Sequence, residues 1–400
     1  MDIGAEVSED GTRFRVWAPR CRRVDVVVNG GEVIPMDAEA GGYFAGSTPR
    51  IGAGTRYRFR LDGGEAFPDP ASRFQPEGPH GPSEVIDPSR YRWSDAEWPG
   101  LGPQGQVAYE MHVGTFTPEG TWEGARARLP ELAALGVTVI ELMPLADFAG
   151  RFGWGYDGVN LFAPTRLYGP PDDLRRFVDE AHRLGLGVIL DVVYNHFGPD
   201  GNYLPRYADT VFSPRHHTDW GQALNFDGEG SAGLRALVVA NAAYWIREYH
   251  LDGLRLDATQ DIHDDSEPHI LAEVAAAARR AAGSRPIWLV AENEPQQARL
   301  VRAPEAGGFG IDALWNDDYH HSAMVAATGR REAYYTDYLG SPQELLSAAK
   351  HGYLYQGQRY SWQKQRRGAP ALDLPRHAFV SYVQNHDQVA NSARGRRLHA

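Results

Sequence analysis

The sequence predicts a (β/α)8 TIM barrel preceded by a small N-terminal β-sandwich. Three observations carry this. Strand and helix patterns alternate from Val107 onward, which implies parallel strands joined by crossover helices. Polar residues stand at the C-terminal ends of nearly all the strands: His112, Glu141, Asn195 with His196, Asp257, Glu292, Asp317, and Asn385 with His386 and Asp387. A barrel gathers such ends at one mouth, whereas an open sheet spreads them along an edge. No Gly-rich phosphate loop follows the first of these strands, which argues against a nucleotide-binding sheet.

The N-terminal part reads as β structure. "GTRFRVWAP", "RRVDVVVNG", "GGYFAGS" and "GTRYRFRLDG" are short alternating runs closed by Gly, Asn or Pro, the pattern of a small sandwich. The predicted division is a sandwich over 1–92, a linker over 93–105 and a catalytic barrel over 106–400. "VAYEMHVGTF" reads as the first barrel strand. In "TWEGARARLPELAALG", Trp122, Ala125, Leu129, Leu132 and Ala133 have helical spacing, with Thr121 and Gly136 as caps. "VTVIELMP" is a strand, and "PDDLRRFVDEAHRLG" is a helix with an apolar stripe from Leu174 to Leu184. "GVILDVVYNH" reads as a strand buried on both faces. Helix–strand pairs then lead to "LDGLRLDA" and "PIWLVAENE", followed by strands "GIDALWNDD" and "HAFVSYVQNHD". Seven strands are counted. The eighth is expected to be missing from this chain, leaving the barrel incomplete at its C-terminus.

Composition excludes several classes of function. The formal net charge is −12, so no nucleic-acid partner is expected. The single cysteine, Cys21, permits no internal disulfide and no Cys-based zinc site. Neither a signal peptide nor a membrane span is evident, so the expected location is the cytoplasm. Aromatic residues make up 11% of the chain. Flat rings suit sugar binding, although a large core uses them too.

The chemistry centres on "LDGLRLDATQDIHDD". Arg255 and Asp257, two residues apart on a strand, share a face, and burying that pair is expensive unless a site uses it. Asp257 and Glu292 end neighbouring strands, so their carboxyls are expected roughly 5 Å apart, the separation used by retaining glycosidases. Pairing with Arg255 is expected to keep Asp257 ionised. The charge of Asp257 is expected to raise Glu292 and keep it protonated as an acid. The bland reading is a structural Arg–Asp pair inside a barrel.

"DVVYNH", "GLRLDATQ", "AENE" and "VQNHD" resemble, in order, the four motifs of the α-amylase superfamily. The resemblance implies that Asp257 is the nucleophile, Glu292 the general acid/base and Asp387 a third carboxylate that holds sugar hydroxyls. It implies that His196, Arg255 and His386 line the reacting-sugar subsite, that Asp191 orients Arg255, and that Tyr156 in "RFGWGYDGVNLFAP" stacks under the sugar. Gln260 and Asn385 within these motifs and Gln388 just after the last are further candidates for substrate binding. The N-terminal strands resemble the carbohydrate-binding-like sandwich that precedes the barrel in branching enzymes and their relatives. "YEMHVGTFTPEGTWEGA", "DPASRFQPEGPHGPSEV", "WGQALNFDG" and "GFGIDALWNDDYHHSA" together resemble the malto-oligosyltrehalose trehalohydrolase family. That resemblance implies hydrolysis of the α-1,4 bond next to a terminal trehalose, with a trehalose-ended malto-oligosaccharide as substrate. It also implies sugar-binding roles for Trp315, Asp317 and Asp318. Two adjacent His residues in "WNDDYHH" match no familiar metal-ligand spacing. Asn195 matches a position used for calcium in many α-amylases, but no insertion supplies further oxygen ligands. No metal and no cofactor is expected. The alternatives are a branching enzyme, which passes the intermediate to a glucan hydroxyl and not to water, and a non-catalytic carbohydrate-binding protein.

Overall fold

A computed structural model of the chain describes residues 3–391 and residue 397. The N-terminal strands form two antiparallel sheets. One contains Gly4–Ser8, Gly11–Trp17, Tyr43–Thr48 and Asp37–Glu39; the other contains Val33–Pro35, Val24–Val28, Arg56–Leu61, Ala66–Phe67 and Ser83–Glu84. Alternation puts Phe14, Val16, Val24, Val26, Phe44 and Phe59 between the sheets. The sandwich is bound to the barrel by side chains from both. The Tyr207 hydroxyl donates to the Pro68 carbonyl (2.8 Å). Trp17 lies so close to Gly233 that a Cβ there would meet the indole at 1.9 Å, so glycine is required.

The barrel sheet has seven parallel strands among the described residues, in sequential order. They are β1 (Ala108–Met111), β2 (Val139–Leu142), β3 (Gly187–Val192), β4 (Gly253–Leu256), β5 (Trp288–Ala291), β6 (Ala313–Trp315) and β7 (Phe379–Val380). Helices α1 (Trp122–Leu135), α2 (Pro171–Arg183), α3 (Ala232–Glu248) and α4 (Ile270–Ala282) connect successive strands, as their apolar spacing requires. Thr121 caps α1 by accepting from the Gly124 N–H (3.3 Å), and Gly136 ends it at φ 92°. Outward-facing Ile140, Leu142, Val188, Leu190, Leu254, Leu256 and Leu289 pack on the helices. Inward-facing Val139, Ile189, Val290, Ala313 and Trp315 fill the interior with Leu101. β1 and β7 are not paired with each other. The chain just beyond β7 nevertheless reaches β1, because the His386 N–H and Nδ1–H donate to the Glu110 carboxylate (2.8 and 2.6 Å).

Three details differ from the sequence reading. "VAYEMHVGTF" is a strand only to Met111. His112 bonds the Thr115 hydroxyl (2.9 Å) and turns Val113–Phe116 into a helical turn. Phe212–Thr218 and Gly221–Leu224 form a hairpin, and so do Arg359–Tyr360 and Gln365–Arg366. The expected linker packs along the foot of the barrel: Trp93 stacks on His250, Trp98 stacks on His182 and donates to Asp252 (2.8 Å), and Leu101 enters the interior. Among the described residues, no helix is long and apolar enough to cross a membrane.

The foot of the barrel depends on a charged knot. His182 of α2 lies between Asp95 (2.9 Å) and Asp252 (2.8 Å), and Arg285 also bonds Asp252 (2.5 Å). Burial disfavours the imidazolium, but hydrogen bonds and charge from Asp252 and Asp95 raise its pKa above the ordinary 6.5. A histidine whose protonation folding favours adds stability in full below its unfolded value. That gain fades as the pH rises through the folded value. Replacing His182 by Gln is expected to lower the urea midpoint most near pH 6, with the gap narrowing toward pH 9. A gap that does not change with pH over that range would show that the charge on His182 contributes nothing.

Candidate active site

The β4 register decides the site. Asp191 on β3 and Val290 on β5 are level with Arg255 on β4, and Leu256 is level with Ala291. The next residues along, Asp257 and Glu292, therefore leave the sheet side by side at the mouth. Arg255 lies beneath them with no exposed surface. Its Nη1 donates to both Asp191 oxygens (2.9 Å each) and to Asp257 Oδ1 (2.7 Å), and its Nη2 donates to Glu292 Oε2 (2.8 Å). The Trp315 ring lies 4.9 Å from the guanidinium carbon. One buried cation thus aligns three carboxylates.

Above them opens a cleft of about 560 Å³, lined by Tyr156, His196, Asp257, Gln260, Glu292, Asp317, His386, Asp387 and Gln388 among others. The Tyr156 hydroxyl donates to Asp191 (2.7 Å), and its ring stacks on His386 at 5.0 Å. His196 bonds the Tyr156 carbonyl (2.9 Å) and stacks on Trp220. Asn195 Nδ2 donates to Asp257 Oδ2 (3.2 Å). The cleft therefore joins a pair of adjacent carboxyls, a third carboxyl and flat aromatic walls.

Comparison with known proteins agrees with this geometry. Residues 85–231 match the model of the alpha amylase catalytic domain, and residues 2–88 match carbohydrate-binding module 48, the isoamylase N-terminal domain. The malto-oligosyltrehalose trehalohydrolase of Deinococcus radiodurans is 46% identical over 391 residues, covering 97% of this chain and 63% of that protein. That of Saccharolobus solfataricus is 42% identical over 398 residues, covering all of this chain and 70% of its own. The chain belongs to the malto-oligosyltrehalose trehalohydrolase family. It spans about two thirds of the length of these relatives, 63% and 70%. A crystal structure from Salmonella typhimurium, assigned provisionally to the alpha amylases, superposes with a TM-score of 0.92 at 44% identity. It covers 99% of this chain and 68% of that one.

Not every candidate substrate-binding residue reaches the cleft. Trp315 is buried in the barrel interior beneath Arg255, because its position on β6 is level with the interior layer. Asp318 has no exposed surface and is enclosed by the Tyr338 hydroxyl (2.5 Å) and the Tyr355 N–H (2.7 Å). It lies on the inner side of α5 (Asp317–Thr328), while Asp317, one residue earlier, faces the cleft. The Asn385 side chain turns back to accept from the Asp387 N–H (2.9 Å) and starts the short helix His386–Asn391. Conversely, Trp154, Trp220, Glu294, His321, Tyr334, Trp362 and Gln363 line the cleft and were not expected to. Trp220 and Trp362 are 54% and 52% exposed at the ends of the two hairpins. A tryptophan inside a polar, turn-rich stretch was the available signal.

The proton distribution corrects the sequence reading. Burial raises Asp257 to about 8, with Glu292 adding to the shift and Arg255 opposing it. Glu292 also suffers burial, but Arg255 and the Ala258 N–H (3.1 Å) lower it below the ordinary carboxyl value. The two share one guanidinium and titrate as a pair. Asp257 is thus pushed up and Glu292 down, opposite to the directions expected, with Asp257 accepting from Asn195 and Glu292 from the Ala258 N–H beside the shared arginine. Burial also raises Asp387, against the charge of His386. Glu110 drives His386 up to about 9 despite burial. Replacing Glu292 by Gln removes a negative neighbour, so Asp257 is expected to titrate well below 8. A carboxyl-¹³C NMR titration of aspartate-labelled protein measures this, and an unchanged Asp257 would refute the coupling.

Proposed function

We propose that this chain is a retaining glycoside hydrolase that cleaves the α-1,4 bond next to the terminal trehalose of malto-oligosyltrehalose and releases trehalose. The observation that carries the reading is the level placement of Asp257 and Glu292 on adjacent strands, both held by Arg255. Strand spacing puts such a pair about 5 Å apart, the retaining separation. Likeness to the malto-oligosyltrehalose trehalohydrolases at 42–46% identity supports the choice of substrate.

In this mechanism a glucosyl ring rests against Tyr156, with His196, His386 and Arg255 around it. Asp257 attacks the anomeric carbon as the bond to the leaving oxygen breaks, and Glu292 delivers a proton to that oxygen. Water then attacks the covalent intermediate, Glu292 takes a proton from it, and Asp257 leaves. For the reaction, the proton of the pair has to stand on Glu292. The electron-poor anomeric carbon favours the anionic form of Asp257, and the leaving oxygen offers protonated Glu292 an acceptor. Asp387 holds sugar hydroxyls more tightly as the ring flattens and gains charge. Asp191 and Tyr156 keep Arg255 in register, and Gln260 and Gln388 add polar contacts from the wall. The sandwich over 1–92 is read as a carbohydrate-binding-like module, 93–105 as the connection and 106–400 as the catalytic unit, working in the cytoplasm.

The test is a product assay on malto-oligosyltrehalose beside plain maltodextrin. Trehalose is expected from the first. Asp257→Asn is expected to lower that rate about 10⁶-fold, the scale seen when a nucleophile is removed, with the circular dichroism spectrum unchanged. Near-wild-type turnover by the variant would overturn the assignment. New α-1,6 linkages formed from amylose would point instead to glucan transfer.

A further inference from the structure

A second buried arginine lies on the other side of the cleft. Arg367, 1% exposed, follows the hairpin that carries Trp362. Its guanidinium bonds the Glu294 carboxylate, approaches Asp317 Oδ2 (3.4 Å) and Asp318 Oδ1 (3.6 Å), and stacks 5.0 Å over Tyr360. Glu294 and Asp317 line the cleft, whereas Arg367 does not. Each carboxylate has one further anchor: Gln363 Nε2 donates to Glu294 (2.5 Å), and the Tyr382 hydroxyl donates to Asp317 (2.6 Å). The Gly368 N–H donates to the Pro295 carbonyl (3.0 Å) and ties this segment to the loop after β5.

We propose that Arg367 is a positioning residue, one that sets Glu294 and Asp317 to recognise the leaving sugar. The inference rests on the reading of Asp257 as nucleophile and Glu292 as proton donor. Of the groups around the reacting ring, Tyr156, Asp191, His196 and Arg255 come from the chain after β2, from β3 and its end, and from β4, and His386 comes from the chain after β7. Glu294 and Asp317 come from the ends of β5 and β6, beyond the residue that protonates the leaving oxygen, so they face the departing saccharide. A non-reducing disaccharide offers hydroxyls only, and carboxylates held in fixed places accept from paired hydroxyls with strong, charge-assisted bonds. Burial pushes Asp317 up to about 7, and Arg367 opposes that shift. Without the cation this carboxyl turns neutral, and Glu294 loses its orientation.

The experiment compares kcat/KM for malto-oligosyltrehalose with kcat/KM for plain maltodextrin, in wild type, Arg367→Gln and Arg367→Lys. Arg367→Gln is expected to lower the ratio roughly tenfold or more, about what one or two hydrogen bonds to charged groups contribute, with most of the change in KM. Arg367→Lys retains the charge but cannot bridge both carboxylates, and is expected to fall between wild type and Gln. It also serves as the readout if Arg367→Gln does not fold. Loss of folded enzyme lowers both rates in step, so an unchanged ratio overturns the proposal. A wild type that does not prefer the trehalose-ended chain would sink the substrate reading. A wild type with that preference, beside variants of equal ratio, would sink the role of Arg367 alone.

Discussion

The buried guanidinium of Arg255 is the constraint on which the rest depends. A fully buried cation is tolerated only when anions surround it closely, and here Asp191, Asp257 and Glu292 do so. The arrangement works in both directions. The carboxylates make the arginine admissible, and the arginine fixes their spacing more rigidly than three mobile side chains could achieve. Trp315 below and Tyr156 alongside remove the remaining freedom. The alternation of the parallel strands makes this possible: successive inward positions on β4 carry first the cation and then a carboxyl.

Arg367 extends the same device to the neighbouring wall. Each arginine is hidden, and each presents acids to the cleft. The aromatic residues occupy the rim, where a hairpin can hold an indole open to solvent at little cost in packing. The floor of the cleft is rigid, and its sides are built from long excursions between strands and helices. The sandwich and the segment after it brace the barrel from outside, through Trp17 against Gly233 and through Leu101 in the interior.

Much of this was legible in the sequence, because barrel strands and crossover helices follow local periodicity. Arg255, Asp257 and Glu292 were legible from strand alternation and strand order, and Asp191 from the motif resemblance. Trp315, Asp318 and Asn385 were misread for a related reason. A polar or aromatic residue near a strand end can point into the cleft or away from it, and one step along the backbone decides which. Asp317 and Asp318 show this directly. Trp220, Trp362 and Arg367 were not singled out, since the two indoles reach the cleft, and Arg367 stands behind its wall, from hairpin segments whose course is set by distant contacts. The Ala258 N–H that Glu292 accepts also bears on the electrostatics of the pair, and no pattern of side chains reveals it.

The bond between His386 and Glu110 has a wider implication. It joins the two ends of the seven-stranded sheet found among the described residues. Asp387, the very next residue, therefore inherits its place from a glutamate almost three hundred positions earlier. The third acid of the cleft is thus hostage to the opening strand: a shift in how the barrel begins becomes a shift in where that acid stands.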